Sequence, residues 1–414
     1  MKKNIIAGLD LGTTKVGAAI AEVSGDEINI LGFCAAPSEG LNRGLVANIQ
    51  KTSEAIKQAM EIASNRAGII VKELNVGVAG EHITSLRHRN YVTISSPEKE
   101  IAQEDIERLK ADVKTIRIPS DRQILHIIPE EYFVDYQGGI ENPIGMCGTR
   151  LEALNHVVLA SIPAIQNIKK SVERAGFTVK DYILQPIASS MSVLEESETD
   201  LGVALIDIGG GTTDIAVFHD KSIKHTKVIG VAGNQVTNDI RESLGIVTAE
   251  AEKLKKEYGY ATESSIIKDE DIYIKGVGAR GNVKIPISLL TQIIHVRMKE
   301  LFTLIDNDLR HTGFKQKIKA GIVLTGGGSL LRGCTELAEE VFGMPARIGV
   351  PMEVGSGMSN ELSSPEYATV VGLIKGVPGT TTSDETVKAR IKKDTSKLNV
   401  NKFFKKIQEF FDEL

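Results

Sequence analysis

Two segments of the chain share one pattern of apolar and polar positions. In each segment an apolar run ends at an aspartate, a turn rich in Gly and Thr follows, and a second apolar run begins. The segments are IIAGLDLGTTKVGAAIAE (5–22) and VALIDIGGGTTDIAVFHD (203–220). Apolar runs bounded by glycine turns are typical of buried β-strands. The pattern therefore predicts a duplicated α/β architecture with one β-hairpin in each half; two unrelated hairpins that both need glycine turns are the alternative.

Helical and strand-like patterns alternate along most of the remaining chain. Apolar residues at three- and four-residue spacing predict helices at 47–67, 103–113, 164–174, 185–194, 234–244, 249–258, 290–309, 330–341 and 365–374. Short apolar runs predict buried strands at 74–79 and 320–325. Between about 82 and 161, polar segments with strand-like patterns surround the charged helix at 103–113. This change of sequence pattern predicts a small α+β insertion.

The last 38 residues of the sequence, 377–414, combine a polar stretch with a strongly amphipathic segment. At 100° per residue, six apolar side chains fall within an arc of about 120°. They are Phe403, Phe404, Ile407, Phe410, Phe411 and Leu414. Three lysines, Lys402, Lys405 and Lys406, flank this face, and the preceding polar stretch is also basic. We expect a helix that lies in the interface of an anionic membrane; docking onto its own domain or onto a partner helix is the alternative.

Composition limits the remaining possibilities. The 414 residues are 42% hydrophobic and 25% charged, with a formal net charge of −5. This is typical of a globular protein of about two to four domains, and it argues against a protein-wide basic face for nucleic acid. The cysteines Cys34, Cys147 and Cys334 have no metal-type spacing, which favours thiols in a reducing cytosol. No apolar run approaches the roughly 18 residues of a membrane-spanning helix, so any membrane contact is expected to be peripheral.

The glycine turns have the chemistry of a phosphate site. Nucleotide phosphates need backbone N–H donors at close range, and a metal-bridged phosphate needs a carboxylate at a strand end. The first turn offers Asp10, Gly12, Thr13, Thr14 and Lys15, and the second offers Asp207, Gly209, Gly210, Gly211, Thr212, Thr213 and Asp214. A third glycine run, Gly326, Gly327 and Gly328, follows the strand at 320–325. Three such turns in one chain predict a nucleotide site.

These motifs resemble those of the superfamily of actin, sugar-kinase and heat-shock-chaperone ATPases. The resemblance implies two halves around a nucleotide cleft, with ATP and Mg²⁺ as cofactors. It gives DLGTTK and DIGGGTTD as phosphate motifs, TGGGSLLRG as the adenosine motif, Asp10 and Asp207 as residues near the metal, and Asp207 and Gln185 as catalytic residues. It also implies nucleotide contacts from Gly233, Asn234, Glu252, Lys255 and Lys256.

One position departs from the superfamily pattern. The first helix that connects the halves often begins with Glu before Pro in relatives, whereas this sequence has Gln185. A neutral amide orients water but is a poor general base. We therefore expect ATP binding with at most slow hydrolysis.

The whole chain is similar to the FtsA family of bacterial cell division proteins. The local strings DLGTTKVGAAIAE, NRG (42–44) and DIGGGTTDIAVF, the insertion and the amphipathic segment carry this resemblance. It implies a polymerising protein at the cytoplasmic face of the membrane and the division septum, with FtsZ, other divisome proteins and anionic lipid as partners. Arg297 best matches the basic residue with which the family binds the FtsZ C-terminal tail. A pilus-assembly actin relative or a metabolic kinase of the superfamily is the alternative.

The resemblance also divides the chain. The first core subdomain is expected at 1–82 and 162–200, the insertion at 83–161, the second core subdomain at 201–230 and 320–376, its outer subdomain at 231–319, a flexible linker at 377–400 and the membrane-targeting helix at 401–414.

Overall fold

Strands and helices follow the predicted alternation along the chain. The structure is a computed structural model that describes residues 4–24, 27–96, 98–274, 283–352 and 359–376. The predicted linker and membrane-targeting helix lie outside the described residues. The strands are β1 (Asn4–Leu11), β2 (Lys15–Ser24), β3 (Glu27–Pro37), β4 (Leu41–Asn42), β5 (Leu45–Val46), β6 (Glu73–Val78), β7 (Thr84–Thr93), β8 (Arg122–Val134), β9 (Gln137–Ile140), β10 (Arg150–Ser161), β11 (Thr178–Leu184), β12 (Val203–Ile208), β13 (Thr213–His219), β14 (Ser222–Ile229), β15 (Asp271–Ile274), β16 (Val283–Pro286), β17 (Gly321–Thr325) and β18 (Ala346–Ile348).

Most helices lie close to the predicted positions, whereas α5 and α10 were not predicted. They are α1 (Ile49–Ala67), α2 (Gln103–Val113), α3 (Ile162–Arg174), α4 (Gln185–Val193), α5 (Glu196–Leu201), α6 (Gly233–Leu244), α7 (Thr248–Tyr258), α8 (Ile287–His311), α9 (Cys334–Phe342), α10 (Ser359–Leu362) and α11 (Ala368–Lys375). Within the described ranges, no helix is long and apolar enough to span a membrane.

Two five-stranded sheets have the same topology, which confirms the predicted duplication. Their orders are β3-β2-β1-β6-β11 and β14-β13-β12-β17-β18. In both sheets the first three strands pair antiparallel, and the last two join by parallel pairing. The hairpin β1–β2 therefore corresponds to β12–β13, and each ends its first strand next to a glycine turn.

Helices α4 and α11 join the two halves and cross each other. Helix α4 follows the last strand of the first sheet and packs on β12 and β13 of the second, whereas α11 packs on β1, β2 and β6 of the first sheet. At the crossing, a Cβ added to Gly372 would lie 1.7 Å from the Ala188 carbonyl oxygen. Glycine at this position therefore allows the backbones to touch.

The predicted insertion is a four-stranded antiparallel sheet, β7-β10-β8-β9, with α2 packed on it. Ile94, Leu109 and Leu151 are fully or almost fully buried in its own apolar core. The insertion also contacts the edge strand β14 of the second half, where His156 Nε2 lies 2.9 Å from the Thr226 hydroxyl.

The outer part of the second half consists of α6, α7, the hairpin β15–β16 and α8. One face of α8 is buried at helical spacing, including Leu290, Ile294, Leu301 and Ile305. This face and the second sheet share one core, so α8 is fixed against the strands that carry the second glycine turn.

The prediction of a helix at 330–341 was wrong at its start. Residues Gly327–Leu330 form a single 3₁₀ turn, and α9 begins only at Cys334. Gly326 and Gly333 have φ of 79° and 75°, in the left-handed region that interrupts a right-handed helix. Near the chain's last described residues, the predicted helix at 365–374 likewise begins with a 3₁₀ turn, Pro365–Tyr367, before α11.

Candidate functional site

A cavity of about 550 Å³ lies between the two glycine hairpins. Nearly all of the residues predicted to bind nucleotide line it. They are Asp10, Gly12, Thr13, Thr14, Lys15, Gln185, Asp207, Gly209, Gly210, Gly211, Thr212, Gly233, Asn234, Glu252, Lys255, Lys256, Gly326, Gly327 and Gly328. The exception is Thr213, which was predicted to bind nucleotide but does not line the cavity. Its side chain is fully buried, and its hydroxyl donates to the Val231 carbonyl.

The two glycine turns have matching internal geometry and meet at their tips. The Gly12 N–H donates to the Lys15 carbonyl at 3.0 Å, and the Gly209 N–H donates to the Thr212 carbonyl at 2.9 Å. A Cβ on Gly210 would lie 2.3 Å from Thr14 Cγ2. A side chain at Gly210 would therefore clash with Thr14, and glycine at this position lets the turns of the two halves approach closely.

Three carboxyl groups at strand ends converge on this wall. Asp10 is the last but one residue of β1 and accepts a hydrogen bond from Gln185 Nε2 at 2.9 Å. Asp207 in β12 accepts one from the Ser189 hydroxyl at 2.7 Å. Asp214 in β13 accepts one from the Thr212 hydroxyl at 3.1 Å, but its Oδ1 is buried with no hydrogen-bond partner among the described residues.

Burial disfavours the charged form of all three carboxyl groups. It raises the pKa of Asp10 to about 7, it raises the pKa of Asp207, and it raises the pKa of Asp214 well above its usual range. A positive charge beside them would reverse this cost. The orphaned Asp214 oxygen and the all-oxygen donor set fit a divalent cation such as Mg²⁺.

The predicted metal pair, Asp10 and Asp207, would therefore need further ligands to hold a metal ion. In the part of the chain that the structure describes, no group of three or more His, Cys, Asp or Glu residues is arranged to hold a metal ion alone. Mg²⁺ usually keeps several waters and binds substrate phosphates. Asp10, Asp207 and Asp214 fit a cation that arrives with a phosphate, and Asp214 lies outside the predicted metal pair.

Lys15 links the first hairpin to the 3₁₀ turn Pro365–Tyr367, which precedes α11. Its ammonium donates to the Glu366 carbonyl at 2.6 Å, pairs with the Glu366 carboxylate at 3.1 Å and lies 4.2 Å from the centre of the Tyr367 ring. Burial lowers the pKa of Lys15, although Glu366 opposes the shift. Lys15 and Glu366 both line the cavity, so the lysine is positioned to exchange one anionic partner for another.

The opposite side of the cavity is built from α6 and α7. Lys255 donates to the Gly233 carbonyl at 3.0 Å and to the Thr237 hydroxyl at 2.8 Å, and it pairs with Glu252 at 2.7 Å. Lys256 pairs with the same carboxylate at 3.3 Å. These contacts fix Glu252 beside the N-terminus of α6, where hydrogen-bond donors and acceptors lie close together.

The lining of the cavity also includes an apolar and basic group of side chains. It consists of Met298, Leu330, Leu331 and Arg332. Leu330, Leu331 and Arg332 follow the glycines in sequence, but Met298 comes from the buried face of α8 and its apolar spacing indicates only a core residue. This mixture of apolar side chains and a planar guanidinium suits the flat face of a nucleobase.

Arg297 lies on α8 but is not brought to the cavity. Its guanidinium forms two hydrogen bonds with Asp239 of α6, at 2.6 and 3.0 Å, and contacts Glu300. These partners raise the pKa of Arg297. The predicted membrane contacts at 402–414 lie outside the described residues.

Comparisons with known proteins identify the relatives of this chain. The family model "Cell division protein FtsA" matches residues 204–372, and "SHS2 domain inserted in FTSA" matches residues 80–159. "Cell division protein FtsA" from Pseudomonas aeruginosa is 44% identical over 371 residues, which cover 89% of this chain and 88% of the relative.

Solved structures share the fold at lower identity. The "PilM-PilN type IV pilus biogenesis complex" matches with a TM-score of 0.63 at 18% identity, over 89% of this chain and 97% of that chain. MreB5 of Spiroplasma citri, solved bound to ADP, matches with a TM-score of 0.53 at 16% identity, over 94% and 98%. The fold is therefore that of the actin-like proteins, as the resemblance of the glycine-turn motifs implied.

Proposed function

The chain belongs to the FtsA family of cell division proteins, and on that premise we propose that it is an ATP-binding filament former that anchors FtsZ to the membrane. The observation that supports nucleotide binding best is the cavity itself, whose walls come from equivalent glycine turns in the two halves. A pilus-assembly role is supported only by a shared fold at 18% identity. We therefore prefer the division role.

We propose that ATP binds in this cavity with Mg²⁺. The turn N–H groups and Lys15 would hold the phosphates, Asp10, Asp207 and Asp214 the cation and its waters, and Glu252, Lys255 and Lys256 the ribose side. When bound, Mg²⁺ would neutralise part of the phosphate charge, and the three carboxyl groups and water would hold it. Gln185 already donates its amide to Asp10, which supports slow turnover rather than general-base catalysis.

Nucleotide binding is tested by titrating the full chain with fluorescent ADP and ATP in the presence of Mg²⁺. Lys15→Ala removes a charged phosphate ligand, so we expect about a tenfold loss of affinity. Lys51→Ala is the matched control, because Lys51 is exposed and pairs with Glu39 on the surface. Equal affinity of the wild type and Lys15→Ala would contradict the proposed site.

We propose that residues 401–414 bind the membrane and that 377–400 link them to the folded part. Burial of four Phe, an Ile and a Leu is worth about 9–18 kcal/mol before ordering costs. Many such helices on one filament would bind a membrane multivalently. The same anchor would hold the protein at the cytoplasmic face of the cell membrane and at the septum.

Membrane binding is tested by co-sedimentation with phosphatidylglycerol vesicles. Removal of residues after Asn399 should abolish sedimentation and leave ADP binding intact. Phe411→Glu places a charge on the apolar face and should weaken sedimentation strongly, whereas Gln408→Glu adds the same charge outside that face and should act only weakly. Vesicle binding by the truncated chain would refute the anchor.

We propose that the C-terminal tail of FtsZ binds at Arg297. The arginine lies on α8 next to the exposed side chain of Val296, so a basic and an apolar group are adjacent. Asp239 and Glu300 hold the guanidinium in place. An FtsZ tail peptide should bind Arg297→Ala at least about tenfold more weakly. Arg310→Ala on the same helix, which pairs with Asp306, is the control.

We propose that the subdomains have the predicted limits. We also propose that they provide the surfaces for self-association and for contacts with other divisome proteins. The match of the inserted-domain model to residues 80–159 supports an insertion near 83–161. Pelleting assays with the isolated nucleotide-bound chain and with lipid would test filament formation; a chain that stays monomeric under all of these conditions would contradict it.

A further inference from the structure

Helix α4 contacts the carboxyl groups of both glycine hairpins. Gln185 donates to Asp10 of the first half, and Ser189 donates to Asp207 of the second half. The two residues are four positions apart, which places them on one face of a helix. All four side chains belong to residues with less than a tenth of their surface exposed. One short helix therefore holds an acidic group from each half.

A second hydroxyl, from α11, completes the contact with Asp207. Thr369 Oγ1 lies 3.0 Å from Ser189 Oγ and 3.3 Å from Asp207 Oδ2. Both hydroxyls thus converge on the same carboxylate oxygen. The other oxygen, Oδ1, lies against Gly326, where an added Cβ would be only 2.3 Å away. The orientation of the Asp207 carboxylate is fixed from both sides.

The crossing of α4 and α11 brings these hydroxyls together. The Ser192 hydroxyl donates to the Ala368 carbonyl at 2.7 Å, and Gly372 lets α11 touch the Ala188 backbone. Ser190, in contrast, donates within its own helix, to the Ile187 carbonyl. Ser189 and Thr369 differ from this neighbour because their hydroxyls serve a carboxylate in the cavity wall.

We propose that Ser189 and Thr369 are positioning residues that orient the Asp207 carboxylate for a divalent cation bound with nucleotide. This assignment rests on the proposed nucleotide site and concerns residues outside its predicted set. A carboxylate whose orientation is already fixed loses little conformational entropy when it binds a cation. The hydroxyls therefore contribute to affinity when the cation is present, and contribute little to nucleotide binding without it.

The experiment compares the affinity of the full chain for ADP in Mg²⁺ and in EDTA. For the wild type, Mg²⁺ should strengthen ADP binding. Ser189→Ala should reduce this Mg²⁺-dependent gain by about tenfold, the scale of a hydrogen bond to a charged group. Its affinity in EDTA should change less than about twofold. Thr369→Val should act in the same direction and by a smaller factor, since its contact with Asp207 is longer.

Two controls separate positioning from general damage. Thr369→Ser keeps the hydroxyl and should restore the gain that Thr369→Val loses. Ser190→Ala removes a buried hydroxyl from the same helix and should leave the gain unchanged. If Ser189→Ala fails to fold, the comparison of Thr369→Val with Thr369→Ser still tests the proposal.

Three results would overturn the assignment. One is an unchanged Mg²⁺-dependent gain in Ser189→Ala and Thr369→Val, and another is an equal loss in Mg²⁺ and in EDTA, which indicates only altered packing. In both, wild-type binding would leave the proposed function standing. Failure of the wild type to bind ADP would overturn the proposed nucleotide function and this assignment together.

Discussion

Replacement of the buried His126 by glutamine should make the protein more resistant to acid. His126 lies in β8, and its Nε2 accepts a hydrogen bond from the Leu184 N–H at 3.0 Å, directly before α4. Burial lowers the pKa of His126 from its ordinary 6.5 to about 4. Protonation would place an uncompensated charge in the interior and remove the acceptor of the Leu184 N–H. Acid should therefore destabilise the contact that holds the start of α4.

The sign and size of the effect follow from the two pKa values. The unfolded chain binds a proton at His126 below pH 6.5, and the folded chain binds it only near pH 4. The histidine therefore contributes stability that is fully present above pH 6.5 and is lost as the pH falls toward 4. Between pH 7 and pH 5, this single group should lower the free energy of unfolding by about 2 kcal/mol.

Urea unfolding of the nucleotide-free protein at pH 7 and pH 5 measures this loss. His126→Gln keeps an acceptor for the Leu184 N–H and does not titrate. It should lose about 2 kcal/mol less than the wild type over this interval. The exposed His311→Gln is the control and should match the wild type. His82, whose pKa is also lowered to about 4, contributes to all three proteins and cancels in the comparison. His156, whose pKa is lowered to about 3, stays neutral in the folded state between pH 5 and pH 7.

The reasoning is refuted if His126→Gln and the wild type lose the same stability between pH 7 and pH 5. Equal losses would mean that His126 takes up its proton without cost to the fold. A lower stability of His126→Gln at both pH values would not count against it, because only the difference between the two pH values reports the titration.

Three further changes test the helix crossing, the core and the cavity. Gly372→Ala should lower the free energy of unfolding by about 1–3 kcal/mol in urea, despite the higher helix propensity of alanine, because its Cβ would meet the Ala188 carbonyl at 1.7 Å. Phe302→Ala should lower it by about 3–5 kcal/mol, since this ring is fully buried against Phe342. Glu366→Gln should strengthen ADP binding about threefold in a fluorescence titration, because it releases Lys15 from a partly exposed ion pair; an unchanged or weaker affinity would contradict the exchange of partners.

Local sequence signals were sufficient for the hairpins and for most helices. Helix α2 has the predicted limits, 103–113, because its charged and apolar positions alternate at helical spacing and its apolar side pairs with one sheet. The repeated Asp and Gly positions also predicted the duplicated architecture, since two similar segments fold into similar hairpins. These features depend on contacts between near neighbours or between equivalent segments.

The missed features depend on where distant segments meet. Met298 has the spacing of a core residue, and only the packing of α8 beside the third glycine run brings it to the cavity. Ser189 and Thr369 lie in short helices rich in small residues, and nothing in either helix alone indicates a shared carboxylate. The start of α9 was misplaced because apolar spacing does not report the left-handed φ of Gly333.

The position of Gln185 in the fold bears on the expected slow hydrolysis of ATP. Its amide donates to Asp10, a carboxyl group whose pKa burial already raises to about 7. A glutamate here would place a second buried acid within hydrogen-bond distance, and two like charges so close raise the pKa of one of them further. Asp10 would then be harder to ionise for a cation. The neutral amide avoids this conflict, but it also removes the group best suited to take a proton from water. The hydrogen bond from Gln185 to Asp10 therefore supports the proposed slow hydrolysis of bound nucleotide.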